Sequence, residues 1–260
     1  MLNEKYLTDS LKKINPEAKL FCYEVTDSTN ERAMEYLRLG GERTTAVFIA
    51  SEQTKGRGRR GRHFVSRGGA GLYMSVLLFD RRYPDIATIT PECAVKLSRA
   101  IKRVSGVDTE IKWVNDLFAR VGDRRKKICG ILAEGESSPD GKSISIVCGM
   151  GINVYKNAIS DDISDIATSI EEASDLHIKI EDLAIAALEE FFRCEPHEEL
   201  LRDYRASSFL LGERVRVLPF GKEGYDAIAL DILDDYSLLV RRDDGCKERV
   251  YTGEVSVRQL

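Results

Sequence analysis

The sequence predicts an α+β protein, with a mixed, largely antiparallel sheet flanked by helices and a small β-barrel at the C-terminal end. Three observations lead to that class. Up to about residue 206, segments with helical apolar spacing are interspersed with short β-rich runs. Strand-like runs at 109–114, 128–134 and 143–149 follow one another with only turn-forming stretches between them. Beyond Phe209 the texture changes to five short β-rich runs in about fifty residues, the spacing of a small barrel. The chain is therefore divided into a first unit over 1–208 and a second over 209–260.

Leu2, Leu7, Leu11 and Ile14 recur at helical spacing and predict a short amphipathic helix over 2–14. Phe21 to Val25 reads as a strand. Ser28 with Glu31 three residues later matches a capping box, so a second helix is expected from there to about Leu39, where Gly40-Gly41 stops it. Thr45 to Ala50 and Gly71 to Leu78 are apolar and β-rich. Thr90-Pro91 gives a helix start with proline at the first position, and Ala94, Leu97 and Ile101 then face inward until Gly106. A long helix is expected over about 180–194 with Leu183, Ala187, Leu188 and Phe191 on one face, and a shorter one over 197–206. In the last unit, Phe220-Gly221-Lys222-Glu223-Gly224, Asp234-Asp235 and Asp243-Asp244-Gly245 supply the turns.

A length of 260 residues with 43% hydrophobic and 32% charged content describes an ordinary globular protein, and no apolar run approaches a bilayer span. The net charge of −4 disfavours a general nucleic-acid binder. The six cysteines form no C-x-x-C pair and read as reduced, buried small hydrophobes. His63, His177 and His197 have no ligand spacing, so no metal site is expected. With no apolar signal core at the N-terminus, the expected location is the cytoplasm.

The most informative segment is Gly56-Arg57-Gly58-Arg59-Arg60-Gly61-Arg62, between two apolar β-rich runs. Glycine allows close backbone approach, and arginine offers a planar fork of donors to anionic oxygens. RGG-type nucleic-acid tails share this composition but lie at chain ends or in long low-complexity tracts. A short cationic loop inside a mildly acidic domain instead suits a lid over a phosphate-bearing small molecule. Familiar nucleotide loops are absent. Gly135 to Ser143 has five residues between its glycines where a P-loop has four, and it leads into a strand, so it reads as a hairpin turn.

Four further segments carry candidate chemistry. Asp27-Ser28-Thr29-Asn30 lies at a strand-to-helix turn. Lys112-Trp113-Val114-Asn115-Asp116 interleaves polar residues with the only tryptophan. Lys127-Ile128-Cys129-Gly130 brings a lysine into an apolar strand, and Gly149-Met150-Gly151-Ile152-Asn153 permits close approach beside an amide. In this order the segments resemble the biotin–protein ligase family, over Thr26 to Ser169 and onward through the C-terminal barrel. Val114 stands where that family usually has proline and Phe64 where it usually has tryptophan, which puts local loop geometry in question.

The resemblance implies a class II synthetase-like catalytic domain over 1–208 and an SH3-like domain over 209–260. Only some twenty residues precede the first strand, so a ligase without a helix-turn-helix domain is expected. It implies activation of biotin by ATP, with Mg2+, to biotinyl-5'-AMP, and transfer to a lysine of a biotin carboxyl carrier protein. No nucleic acid or membrane partner is expected, and the chain would be a monomer or homodimer. Lys127, Arg59 and Arg62 are the implied catalytic residues. Biotin is assigned Ser28, Thr29, Asn30, Gln53, Gly56, Arg57, Gly58, Arg59, Lys127 and Gly130. ATP is assigned Arg60, Arg62, Lys112, Asn115, Lys127 and Asn153. Lipoate–protein ligase is the nearest rival, since it shares the fold and a lysine-x-x-glycine strand; the arginine–glycine loop and the Lys112-Trp113 pair favour biotin.

Overall fold

The amphipathic N-terminal segment forms α1 (Glu4–Ile14), capped by Asn3, whose side chain accepts from the Tyr6 amide at 3.1 Å. Strand β1 (Lys19–Thr26) leads into α2 (Thr29–Arg38), which ends where Gly40 takes a left-handed φ of 73°. Strands β2 (Ala46–Gln53) and β3 (Gly71–Arg81) flank the arginine–glycine loop, and α3 (Asp85–Ser105) follows. A run of strands comes next: β4 (Thr109–Lys112), β5 (Asp116–Val121), β6 (Arg124–Ser137) and β7 (Ile144–Asn153). Helices α4 (Ile170–Ser174), α5 (Ile180–Phe192) and α6 (His197–Ser207) lead to β8 (Arg214–Pro219), β9 (Tyr225–Ile232), β10 (Leu238–Arg242), β11 (Lys247–Val250) and β12 (Val255–Gln259). This computed structural model describes residues 2–81, 85–138, 140–219, 221, 223–251 and 255–259.

The first seven strands form one sheet in the order β1-β2-β3-β7-β6-β5-β4. Only β1 and β2 run parallel; every other pairing is antiparallel, as the mixed sheet expected from the sequence requires. One face is covered by α1, α3 and α5, with Leu7, Leu11, Leu97, Ile101 and Leu183 fully buried against Met74, Cys148 and Met150. The other face is only partly covered. Ala33 and Met34 of α2 pack on Phe48, Leu77 and Val147, and the rest of that face is left for the site. The last five strands form an antiparallel sheet ordered β11-β10-β9-β8-β12, in which β12 returns to pair with β8.

The two sheets share one contiguous core, which runs from Trp113 and Tyr204 to Tyr236 and Val217. Polar contacts lock this seam. The Trp113 indole donates to the Tyr236 carbonyl at 2.8 Å, and the Tyr204 hydroxyl donates to the Val114 carbonyl at 3.2 Å; both bonds are buried. The Tyr204 and Tyr236 rings meet edge to face at 5.3 Å. Burial pushes the Tyr204 phenol well above its ordinary range, so it stays a neutral donor. The Trp113–Val114 peptide bond is cis, at the position where the resembled family carries proline.

Several expectations need correction. Helix α3 begins at Asp85 and carries Pro91 inside it, because Ile86 packs against Gly135 and Ile89 against the core, contacts that outweigh the missing amide. Ser28 occupies the N-cap of α2 but makes no side-chain cap bond, and Glu31 turns to Arg57 and Arg38. Asp27 Oδ1 takes the Ser28 amide instead, at 2.6 Å. The segment after Lys112 is a tight turn into β5, an unexpected strand, and α4 was also unforeseen. Cys194 and Cys246 are exposed, whereas Cys93, Cys129 and Cys148 are buried as expected. The Gly135–Ser143 segment is a hairpin turn, closed by the Ser138 amide donating to the Ser143 carbonyl at 2.9 Å. Pro139 within it, and Phe220 and Lys222 of the expected turn cluster, lie outside the described residues.

Replacing Tyr204 with phenylalanine removes the donor from a buried carbonyl while keeping the ring. The expected loss is about 1–3 kcal/mol of stability. Denaturant unfolding followed by fluorescence of Trp113, the sole tryptophan, measures it at the seam itself.

Candidate functional site

The uncovered part of the large sheet is a floor without side chains. Gly130 on β6 pairs with Gly151 on β7, and Gly149 lies two residues away on the same face. A Cβ on Gly149 would overlap Asn30 Oδ1, and one on Gly151 would stand 2.7 Å from the Phe64 ring. The cavity above this floor is walled by α2, by the arginine–glycine loop and by the Lys112–Asp116 turn.

Lys127 reaches this cavity because β6 carries a bulge. The pairing with β5 slips between Leu117↔Cys129 and Phe118↔Lys127, leaving Ile128 as the extra residue. Ile128 and Cys129 both point into the core, so Lys127 and Gly130 both face the cavity. A regular strand would have placed Lys127 on the face of Cys129. The Lys127 backbone is clamped from the other side: its amide donates to the Ile166 carbonyl at 2.9 Å, and its carbonyl accepts from the Thr168 amide at 2.8 Å. Nζ lies 2.7 Å from Asp116 Oδ1, and it crosses Gly130, where a Cβ would be 3.0 Å away. Burial pushes the Cys129 thiol beneath it upward, leaving an inert apolar packing group.

The loop is a small hairpin. Gly58 N donates to Arg62 O at 2.7 Å, and Phe64 N to Gly56 O at 3.0 Å, with Arg60 and Gly61 at the tip in left-handed conformation (φ 58° and 70°). Arg59 points inward, and its Nη1 donates to Asn115 Oδ1 at 3.0 Å. Burial lowers the Arg59 guanidinium below its ordinary value, and Asp116 opposes that shift. Asn115 is fixed by β6: its Nδ2 donates to the Ile131 carbonyl, and its carbonyl accepts from the Ile131 amide, both at 2.9 Å. Arg60 touches the second sheet, donating to the Leu218 carbonyl at 3.3 Å. Arg62 and His63 are exposed at the rim. Lys112 Nζ stands 5.6 Å from the Phe118 ring centroid.

The opposite end is polar and neutral. Gln53 Oε1 accepts from Thr29 N at 2.8 Å, and Gln53 Nε2 donates to Ser66 Oγ at 2.8 Å. Ser75 Oγ donates to Asn30 Oδ1 at 2.6 Å and stands 2.7 Å from Thr29 Oγ1. Asn30 Nδ2 donates to Glu134 Oε2 at 2.8 Å.

Of the residues expected from the sequence, Ser28, Thr29, Asn30, Gln53, Arg57, Gly58, Arg59, Arg60, Arg62, Lys112, Asn115, Lys127 and Gly130 line this one cavity. Gly56 lines an adjoining cleft on the α2 side of the loop. Asn153 is buried away from the cavity, and its Nδ2 donates at 3.1 Å to the carbonyl of Thr168, whose amide clamps Lys127. Asp116, Phe64, Leu132, Gly149 and Gly151 also line the cavity. Leu132, and Glu134 just beyond it, could have been found from their alternation with Gly130 along β6. Among the described residues, no group of three His, Cys, Asp or Glu side chains could hold a metal, and no helix is long and apolar enough to cross a membrane.

Residues 22–153 match the model of the Biotin/lipoate A/B protein ligase family. The chain is 30% identical to the bifunctional ligase/repressor BirA of Bacillus subtilis, over 98% of its own length and 79% of the relative's. It is 32% identical to the biotin--[acetyl-CoA-carboxylase] ligase of Mycobacterium tuberculosis, over 88% and 85% of the two chains. Among solved structures, the biotin protein ligase of Aquifex aeolicus in complex with biotin and ATP superposes with a TM-score of 0.74 at 25% identity, covering 93% of this chain and 99% of that one.

Substituting Gly149 with alanine is expected to push Asn30 out of its buried hydrogen bonds. Overpacking of this kind costs about 1–3 kcal/mol in thermal or denaturant unfolding. Ligand affinity at the neutral end of the cavity should fall at least tenfold, roughly the same free energy, when read by isothermal titration.

Proposed function

The chain belongs to the Biotin/lipoate A/B protein ligase family, and from that premise we propose that it is an ATP-dependent biotin–protein ligase acting on a biotin carboxyl carrier protein. The observation that carries this reading is the polarity of the cavity. One end, at Ser28, Thr29 and Gln53, offers neutral donors and acceptors suited to a ureido ring. The other, at Lys127, Arg59, Arg62 and Lys112, gathers cations suited to phosphate.

In the first step a biotin carboxylate oxygen attacks the α-phosphorus of ATP, the bond to the β-phosphate oxygen breaks, and pyrophosphate leaves. Two anions must approach each other, so charge stabilisation is the main requirement. Lys127, whose ammonium crosses the glycine floor at Gly130, is the cation assigned to both the carboxylate and the α-phosphate; Asp116 holds that ammonium in place until they arrive. Arg59, anchored on Asn115, is assigned to the mixed anhydride, and Arg62 at the rim to the leaving phosphates. Asn153 acts through Thr168 on the Lys127 backbone rather than on the nucleotide. Because Asp116 already faces Lys127 and the described residues build no metal cage, Mg2+ would enter with the triphosphate, whose charge it neutralises.

In the second step the ε-amine of a carrier lysine attacks the acyl carbon, an amide forms, AMP leaves, and the amine's proton passes to solvent. The acyl-adenylate is already activated, so no enzyme nucleophile is needed. The loop has to exclude water from it until the carrier arrives.

ATP–pyrophosphate exchange tests the proposal directly: exchange is expected with biotin and not with lipoate, and the reverse result would transfer the chain to the lipoate branch. Lys127→Ala should slow adenylate formation by about a hundredfold or more in that assay, and a loss below about threefold would remove Lys127 from its role. Arg59→Gly should release biotinyl-adenylate faster and label bystander lysines on added albumin; unchanged retention would rule out its guarding role.

A further inference from the structure

Arg57 was expected to meet the substrate, but its guanidinium is engaged at both ends by carboxylates. Nη1 donates to Glu31 Oε2 on α2 at 2.9 Å, and Nη2 lies 2.8 Å from Glu134 Oε1 on β6. Glu134 uses its other oxygen, Oε2, to accept from Asn30 Nδ2 at 2.8 Å. One carboxylate therefore joins the first arginine of the loop to a buried amide of the cavity wall.

That amide belongs to a continuous chain of polar contacts. From Asn30 it passes to Ser75 at 2.6 Å, to Thr29 at 2.7 Å and to Gln53 at 3.1 Å. Gln53 passes it to Ser66 at 2.8 Å, and Ser66 donates to the Phe64 carbonyl at 3.1 Å. Arg57 begins the loop, and Phe64 and Ser66 follow it. Both feet of the loop thus stand on the same network, and the residues assigned to biotin lie between them. A ligand that orders Thr29, Asn30 and Gln53 orders both feet at once.

We propose that Glu134 is a positioning residue that latches the Arg57–Arg62 loop over the cavity through Arg57 and Asn30. On the ligase reading, on which this part rests, the latch sets how long biotinyl-adenylate is retained. Glu134 itself does not line the cavity and acts only through the two side chains it holds. Exposed ion pairs are individually weak, but here the carboxylate is largely screened from solvent, and the amide bond fixes its second oxygen.

Two measurements on the full chain test this, with Glu134→Gln as an isosteric variant. In the ligand-free protein, trypsin should cut after Arg57, Arg59, Arg60 and Arg62 at least about threefold faster in the variant, with cleavage elsewhere unchanged. A smaller rise, or an equal rise at all sites, overturns the latch. With preformed labelled biotinyl-adenylate, release should also quicken at least about threefold. The Arg57→Gln/Glu134→Gln double variant should release no faster than the faster single variant, because the two residues act through one another. Multiplying effects would overturn the pairing. If the unaltered chain forms no adenylate, the ligase reading fails, while the proteolysis still decides the latch.

Discussion

The site depends on one constraint, that a patch of the large sheet carries no side chains. Gly130, Gly149 and Gly151 clear a floor in the middle of the sheet, where flanking strands would otherwise present bulky residues. Three side chains of the candidate site stand at the edge of that clearing. Asn30 occupies the space a Cβ at Gly149 would need, Phe64 leans over Gly151, and Lys127 crosses Gly130. These glycines matter for what they leave out, and their backbone angles are ordinary. The floor is hydrogen-bonded sheet, and Asn30 and Asn115 at its edge are fixed by polar bonds to β6.

The second sheet completes the site from outside. The Lys112–Asp116 turn supplies Asn115 and Asp116, which steady Arg59 and Lys127, and the turn is itself held by Tyr204 of α6 and by the Tyr236 carbonyl. Arg60 reaches the same sheet at Leu218. Loop, turn and C-terminal strands are thus mechanically connected. The tryptophan of the turn packs into the shared core, donates one hydrogen bond to the second sheet and also lines the cavity.

Much of this was legible in the sequence. The arginine–glycine loop, the Lys-x-x-Gly strand and the strand-to-helix turn at Ser28 do meet in one cavity, because residue types with such specific demands leave few places for themselves. What escaped has physical reasons. The start of α3 was misplaced because Pro91 is a strong local signal, while the packing of Ile86 on Gly135 is a contact made at long range. The capping box at Ser28 and Glu31 was chemically sound, but once the fold was assembled Asp27 took the Ser28 amide and Arg57 took the Glu31 carboxylate. Asn153 looked like a ligand because a buried amide and a ligand-reading amide have the same sequence signature. Glu134 was passed over because its importance lies in who reaches it, and both Arg57 and Asn30 come from distant segments.

The bulge at Ile128 also sets how this segment can vary. Facing is decided there by counting residues, since two consecutive side chains enter the core and the lysine and glycine on either side share the cavity. Apolar exchanges at Ile128 or Cys129 leave that count intact. Losing or gaining a single residue between Lys127 and Gly130 would exchange ammonium for hydrocarbon at the centre of the site. The segment is therefore permissive to substitution and closed to insertion and deletion, a restriction imposed by register and not by the identity of any one side chain.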